Sequence, residues 1–195
     1  MRKIKTRNKL TFGVGINDIE YNVNPTINGK RVACKYYLTW HGMLKRCYSY
    51  KYQAINPTYI GCVVAEEWLT FSNFKSWMEN QDWVGKQLDK DILVQGNKIY
   101  SPNTCIFVSS AINKLFVKCD AARGQYKLGV YFHKPNSKFK AQCKVNGKKK
   151  HLGYYSTEEE AYQVYKKFKT DYIYSIALEQ SDERLKQAML KYVVE

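Results

Sequence analysis

The chain has 195 residues, room for one ordinary domain or two small ones with real cores. Apolar residues make up 45% and aromatic residues 15%, including 17 tyrosines, which excludes disorder as the general state. Against 17 Asp and Glu stand 32 Lys and Arg, and the resulting net charge of +15 favours a polyanionic partner, nucleic acid before an anionic membrane.

Six cysteines stand at 34, 47, 62, 105, 119 and 143, without a CxxC or a paired histidine spacing, so no zinc site is expected. In contexts such as Thr104-Cys105-Ile106-Phe107 they have the character of small buried hydrophobes in a reducing compartment. The basic start, MRKIKTRNKLTFGVG, is not followed by a continuous apolar stretch. The expectation is therefore no signal peptide, no membrane partner and a cytoplasmic location.

In chain order, residues 1–33 combine basic residues, glycines and Pro25 with little periodicity, and are expected to form a loosely structured arm. Within it, Asn28-Gly29 is the signal for a small hairpin. A helix is predicted over 36–48 from the stripe Tyr37, Trp40, Leu44 and Cys47-Tyr48, with Lys45 and Arg46 on the solvated side. A second is predicted over 66–79 from Trp68, Phe71, Phe74 and Trp77-Met78, its opening Glu66 and Glu67 suiting the helix dipole. Between them, Pro57 and Gly61 mark a turn before a brief strand at 62–64.

The stretch from Leu88 to Phe116 carries the chemistry. Asp89-Lys90-Asp91 follows a short apolar run, turns come at Gln95-Gly96-Asn97 and Ser101-Pro102-Asn103, and the segment ends in one bearing Asn113. The predicted order is strand, turn, strand, helix. Two residues apart on a strand, Asp89 and Asp91 are expected to face the same side as a carboxylate pair. No Gly-rich phosphate loop, GxSxG or HExxH is present.

After a linker at 118–126, a different pattern begins. A strand at 128–132, a turn at Pro135-Asn136-Ser137, an alternating strand at 139–145, the hairpin signal Asn146-Gly147 and a third strand at 151–155 form one antiparallel sheet. Ser156 or Thr157 caps a helix opening with Glu158-Glu159-Glu160 and bearing Ala161, Val164-Tyr165, Phe168 and Tyr172. A last helix over 182–193, capped by Ser181, is expected to bury Leu185, Met189 and Tyr192-Val193. Alternation turns Phe139, Ala141, Cys143 and Val145, with Val130 and Phe132, toward the helix, and Lys140, Gln142 and Lys144, with Tyr131 and His133, away from it. From Arg123 to Lys150 the chain has nine Lys or Arg and no acid. A basic, amide-bearing and aromatic sheet face suits the major groove of duplex DNA.

The run from Gly129 to Lys169 resembles the APETALA2-type DNA-binding domain, also found appended to phage endonucleases. The landmarks are Gly129-Val130, Lys138-Phe139, Ala141, His151-Leu152-Gly153 and Thr157-Glu158-Glu159-Glu160-Ala161. The resemblance implies a sheet that enters the major groove through Tyr131, His133, Lys140, Gln142, Lys144, Lys149 and His151. The arginines and tryptophans typical of those positions are largely replaced, so the plant family's target sequence does not transfer.

Residues 36–116 resemble the core of phage HNH-type endonucleases, including the homing kind, on Leu88-Asp89-Lys90-Asp91, Gly96-Asn97, Ser101-Pro102-Asn103 and Ile112-Asn113. The resemblance implies metal-dependent phosphodiester hydrolysis in a phage-infected or prophage-bearing cell. Asp89 and Asn113 would be ligands of Mg²⁺ or Mn²⁺, Asn103 would order the loop, and Lys90 would stand where the family has its general-base histidine. An ordinary lysine titrates at about 10.4 and is a poor base at neutral pH. Three readings stay open: a dead site, Lys90 as a phosphate clamp with Asp91 activating water, or His41 supplying the base. The alternative to a nuclease is a non-catalytic DNA binder or a phage-encoded inhibitor of a host defence protein. The expected fold class is α+β. Its parts are an arm at 1–33, a helical, ββα-metal-like module at 34–117, the linker, and at 127–195 a three-stranded antiparallel sheet packed on a helix, with a C-terminal helix.

Overall fold

A computed structural model describes residues 10–116 and 124–194. The fold is α+β, and the chain divides into two compact units, Met1–Ser109 and Ser110–Glu195.

The first unit is built on helix α1 (Lys35–Tyr48), whose three- and four-residue apolar spacing buries Trp40, Met43, Leu44 and Cys47. Against it packs α3 (Phe71–Glu79), burying Phe71, Phe74 and Met78, while a short helix α2 (Tyr50–Ile55) extends α1 beyond Ser49. The core is largely aromatic: Tyr37 meets Phe71 edge-on at 5.4 Å, Trp68 meets Phe74 at 5.1 Å, and Trp40 Nε1 donates to the Trp68 carbonyl at 2.7 Å.

The helix expected over 66–79 is broken at Thr70. Glu66–Leu69 forms a 3-10 turn and Thr70 is extended, because its neighbours bond to a distant segment. Ile16 N donates to Leu69 O at 2.8 Å, and Phe71 N donates to Ile16 O at 2.9 Å. That segment also corrects the expectation of a loose arm. Val23 is buried in the aromatic core, and Asp18 accepts from Ser72 N at 3.0 Å, capping α3 from outside. Strands β1 (Thr26–Ile27) and β2 (Lys30–Arg31) form the hairpin that Asn28-Gly29 signals. Residues 1–9 lie outside the described part.

Beyond β3 (Val63–Val64), the order strand, turn, strand is present. Strand β4 (Gln87–Asp89) pairs antiparallel with β6 (Ile106–Val108), while β5 (Ile99–Tyr100) pairs parallel with β3. The following helix α4 (Ser110–Phe116) belongs to the second unit. The expected module boundary at 117 therefore falls earlier, at Ser109. Most of the expected linker lies outside the described residues.

In the second unit, β7 (Val130–His133), β8 (Lys138–Val145) and β9 (Lys148–Tyr155) form an antiparallel sheet in that order, with helix α5 (Glu158–Leu178) against one face. Val130, Ala141 and Ala161 are the buried centre, and the alanines let helix and sheet approach closely. Thr157 forms a full capping box with Glu160, and three glutamates fill the first turn, where the helix dipole favours them. Glu158 accepts from Lys127 N at 2.6 Å, and Glu159 pairs with the Lys127 ammonium, which fastens the entry of the unit to the helix. The hairpin turn is tied down by Tyr172, whose hydroxyl donates to Asn146 Oδ1 at 3.0 Å. Helix α6 (Glu183–Leu190) packs on α5 and is capped by Asp182, which accepts from Leu185 N at 3.1 Å, rather than by Ser181. It ends before Val193, which is exposed, and Val194 is the buried residue instead.

Gly129 opens the sheet at φ +79°, and a Cβ there would stand 2.1 Å from the Tyr165 ring. Gly129→Ala is therefore expected to cost roughly 2–4 kcal/mol through backbone strain and overpacking. Urea unfolding followed by far-ultraviolet circular dichroism measures it, and an unchanged midpoint would contradict the close approach.

Candidate nucleic-acid interface

The Asp89 loop is held from within. Strand β4 ends at Asp89, and its Oδ1 accepts from the backbone N–H of Asp91 at 2.7 Å and of Ile92 at 2.8 Å. The chain turns there, so Asp89 and Asp91 are not alternate positions on one strand face, and the expected carboxylate pair does not form in that way. Lys90 is buried, with 5% of its surface exposed. Its ammonium donates to Asp91 Oδ1 at 2.5 Å and to the Asn97 carbonyl at 2.7 Å. Asn97 completes the knot: its Nδ2 donates to the carbonyls of Lys90 at 2.8 Å and Ile99 at 2.6 Å.

Arg46, expected in solvent, instead lies over the buried Tyr100 ring at 5.3 Å, and Lys90 lies over the same ring at 5.9 Å. Burial raises the Tyr100 hydroxyl above its usual value, and it pushes the Cys47 and Cys105 thiols up to about 12. These thiols are core hydrophobes and poor nucleophiles.

The remaining residues of the expected catalytic set lie on other elements. Asn103 is exposed in the turn before β6, where the loop bonds come from its neighbours: Thr104 Oγ1 donates to Ile99 O at 2.7 Å and shares a hydrogen bond with Ser101. Asn113 is on α4, in the second unit, whereas Asp89 is in the first. The His41 ring packs on Phe12 at 4.9 Å and Tyr37 at 5.8 Å, and burial with the nearby Lys45 charge lowers its pKa.

A hard divalent cation needs oxygen donors directed at it. Asp89 Oδ1 is taken by two backbone N–H groups and Asp91 Oδ1 by an ammonium, and among the described residues no three His, Cys, Asp or Glu side chains converge on one point. As arranged, one carboxylate oxygen of Asp89 and one of Asp91 brace the loop.

Asp89→Ala removes the acceptor of two N–H groups and is expected to cost roughly 1–2 kcal/mol. Asp89→Asn keeps Oδ1. Burial raises the Asp89 carboxyl above its usual range, which disfavours the charged form in the folded state, so the neutral amide is expected within about 0.5 kcal/mol of wild type at pH 7. By the same sign, wild-type stability relative to Asp89→Asn falls as pH rises through that titration range. Trp40, Trp68, Trp77 and Trp83 all lie in the first unit, so tryptophan fluorescence during urea unfolding isolates the effect. Equal losses in both variants would show that charge, not the acceptor, is what the loop needs.

The second unit brings its expected residues together. Cross-strand partners in a sheet share a face. Tyr131 pairs with Lys140 and His133 with Lys138 across β7 and β8, and Gln142 pairs with His151 and Lys144 with Lys149 across β8 and β9. All seven candidate residues therefore lie on the face opposite α5, joined by Lys138. Phe132 is on the helix side, as expected, but at the sheet edge, half-exposed against Phe139 at 5.3 Å.

One residue of this face escapes simple alternation. From His151, strict period-two counting would send Gly153 and Tyr155 outward. A bulge at Leu152 shifts the register, pairing Ala141 with Gly153 and Lys140 with Tyr154. Gly153 takes φ +134° at this point, and Tyr155 turns to the helix side, its hydroxyl donating to Leu152 O at 2.9 Å. Tyr154 thereby joins the open face, its ring 4.7 Å from His151 and 5.0 Å from His133. The glycine in His151-Leu152-Gly153 is the one local signal of the bulge. Beyond it, Lys150 points to the other side, its ammonium 4.8 Å from the Phe168 ring of α5.

Comparison with protein-family models, with curated proteins and with solved structures returns no match.

Proposed function

We propose that this chain binds double-stranded DNA through the open face of the β7–β8–β9 sheet. One observation carries the reading: Lys138, Lys140, Lys144 and Lys149 share that face with Gln142, His133, His151 and two tyrosines, and with no acid. A solvated sheet without a polyanionic partner ordinarily mixes charge signs, because like charges on adjacent strands repel. Lysines meet phosphates, and amide, imidazole and phenol groups meet base edges. The first unit is a scaffold in this reading, its Asp89–Lys90–Asn97 knot serving stability and not hydrolysis.

A fluorescently labelled duplex titrated with the full chain tests this. Saturable binding is expected, with log K falling against log salt at a slope of about −3 to −4 for four phosphate contacts. Absence of binding at 50 mM salt would overturn it and favour a protein partner. Supercoiled plasmid with Mg²⁺ or Mn²⁺ should stay intact; nicking that Asp89→Asn abolishes would return the loop to a catalytic role.

A further inference from the structure

The open face is not uniform along its strands. At the hairpin end, Lys144 and Lys149 stand side by side across β8 and β9. Away from that end, the Tyr154 ring lies between the imidazoles of His151 and His133, although His133 is on the far edge strand. The rings thus meet over the central strand, beside Lys140, the cross-strand partner of both Tyr131 and Tyr154. The His133 Nδ1 is buried without a hydrogen-bond partner among the described residues, which leaves Nε2 as the ring atom able to meet a ligand.

Flexible lysines hold a duplex by charge alone, whereas packed rings present their polar atoms in fixed directions. From this division, and resting on the DNA-binding reading above, we propose that Tyr154 with its two flanking imidazoles is the base-reading subsite of the sheet, and that Lys144 and Lys149 are the sequence-indifferent phosphate clamp. The Tyr154 hydroxyl and an imidazole N–H can donate to purine N7 in the major groove, the acceptor that both adenine and guanine present there.

The test is selection of bound duplexes from a random-sequence pool by the full chain, by Tyr154→Ala, by Tyr154→Phe and by a variant with both Lys144→Ala and Lys149→Ala, each first shown to keep the wild-type melting profile. Wild type is expected to enrich a motif. Tyr154→Ala should lose about tenfold or more of preference at one or two adjacent base pairs while keeping its affinity for random duplex within about threefold and its salt slope unchanged. Tyr154→Phe, which retains the ring, should lose discrimination at the same base pairs to a smaller extent. The double lysine variant should enrich the same motif with weaker binding to every duplex. An unchanged motif with Tyr154→Ala, or a wild type that binds every duplex equally, overturns the subsite. A wild type that binds no duplex overturns the DNA-binding reading instead, so the two failures are distinct.

Discussion

Replacing Lys140 and Lys144 together by alanine is expected to weaken duplex binding about a hundredfold at low salt, from about 1.5 kcal/mol for each charge-assisted contact. Both side chains lie on the open face of the central strand, four residues apart with Gln142 between them, and their backbone pairing with β7 and β9 does not depend on the side chain. The fold should therefore survive. The magnitude of the salt slope should fall by about 2, since each lysine that meets a phosphate releases about one counterion. The loss should be the same for every duplex sequence and should shrink as salt rises. Anisotropy titrations at several salt concentrations separate this from a packing defect, which would lower affinity without moving the slope. Lys148→Ala with Lys150→Ala is the matched control. It removes the same charge from the helix side of β9, and should shift the slope less.

Removal of Lys90 is expected to act on stability and not on DNA binding. The buried ammonium supplies a donor to the Asn97 carbonyl and to Asp91 and lies 5.9 Å from the centre of the Tyr100 ring, and the side chain that carries it is buried. Asp91 is 52% exposed in its side chain, so the ion pair itself is screened and contributes little. The larger loss comes from the Asn97 carbonyl left without its donor and from the vacated volume. Together these cost roughly 2–4 kcal/mol in Lys90→Ala. Lys90→Met keeps most of the stem and should recover about half of that. Tryptophan fluorescence reports the first unit alone, and duplex affinity measured below the unfolding transition should stay within about twofold of wild type. A Lys90→Met variant as stable as wild type would mean that the lysine is not a structural brace. It would then be available for chemistry.

Much of this architecture is legible in the sequence because it is written locally. The stripes that define α1, the capping signal of α5 and the two-residue turns at Asn28-Gly29 and Asn146-Gly147 all depend on neighbours within a few residues. So does the alternation of β8, which is why its lysines and Gln142 sort correctly onto one face. What is not legible depends on distant partners. Thr70 breaks a helix whose local pattern is continuous because Ile16 takes the backbone bonds on either side of it. Asp18 is a helix cap for α3 although a long stretch of chain separates them. The burial of Arg46 depends on Tyr59 and Tyr100, two rings that no local pattern connects to α1.

The candidate sites divide in the same way. On the sheet, the face of each residue follows from parity until the bulge at Leu152, and Tyr154 is missed because one inserted residue inverts the parity behind it. In the Asp89 loop, parity applies only up to the residue where the strand stops. Asp89-Lys90-Asp91 has the same spelling whether it continues as a strand or folds into a side-chain-braced turn. The decision rests on the bonds to Asn97, which lie outside any local period.

The most direct test of the sheet as the DNA interface is an amide chemical-shift titration of the ¹⁵N-labelled full chain with a short duplex. Shifts are expected to concentrate on β7, β8 and β9, with Lys140, Gln142, His151 and Tyr154 among the largest, and to saturate together. Shifts confined to the Asp89–Asn97 loop and α1, with the sheet amides unmoved, would contradict it.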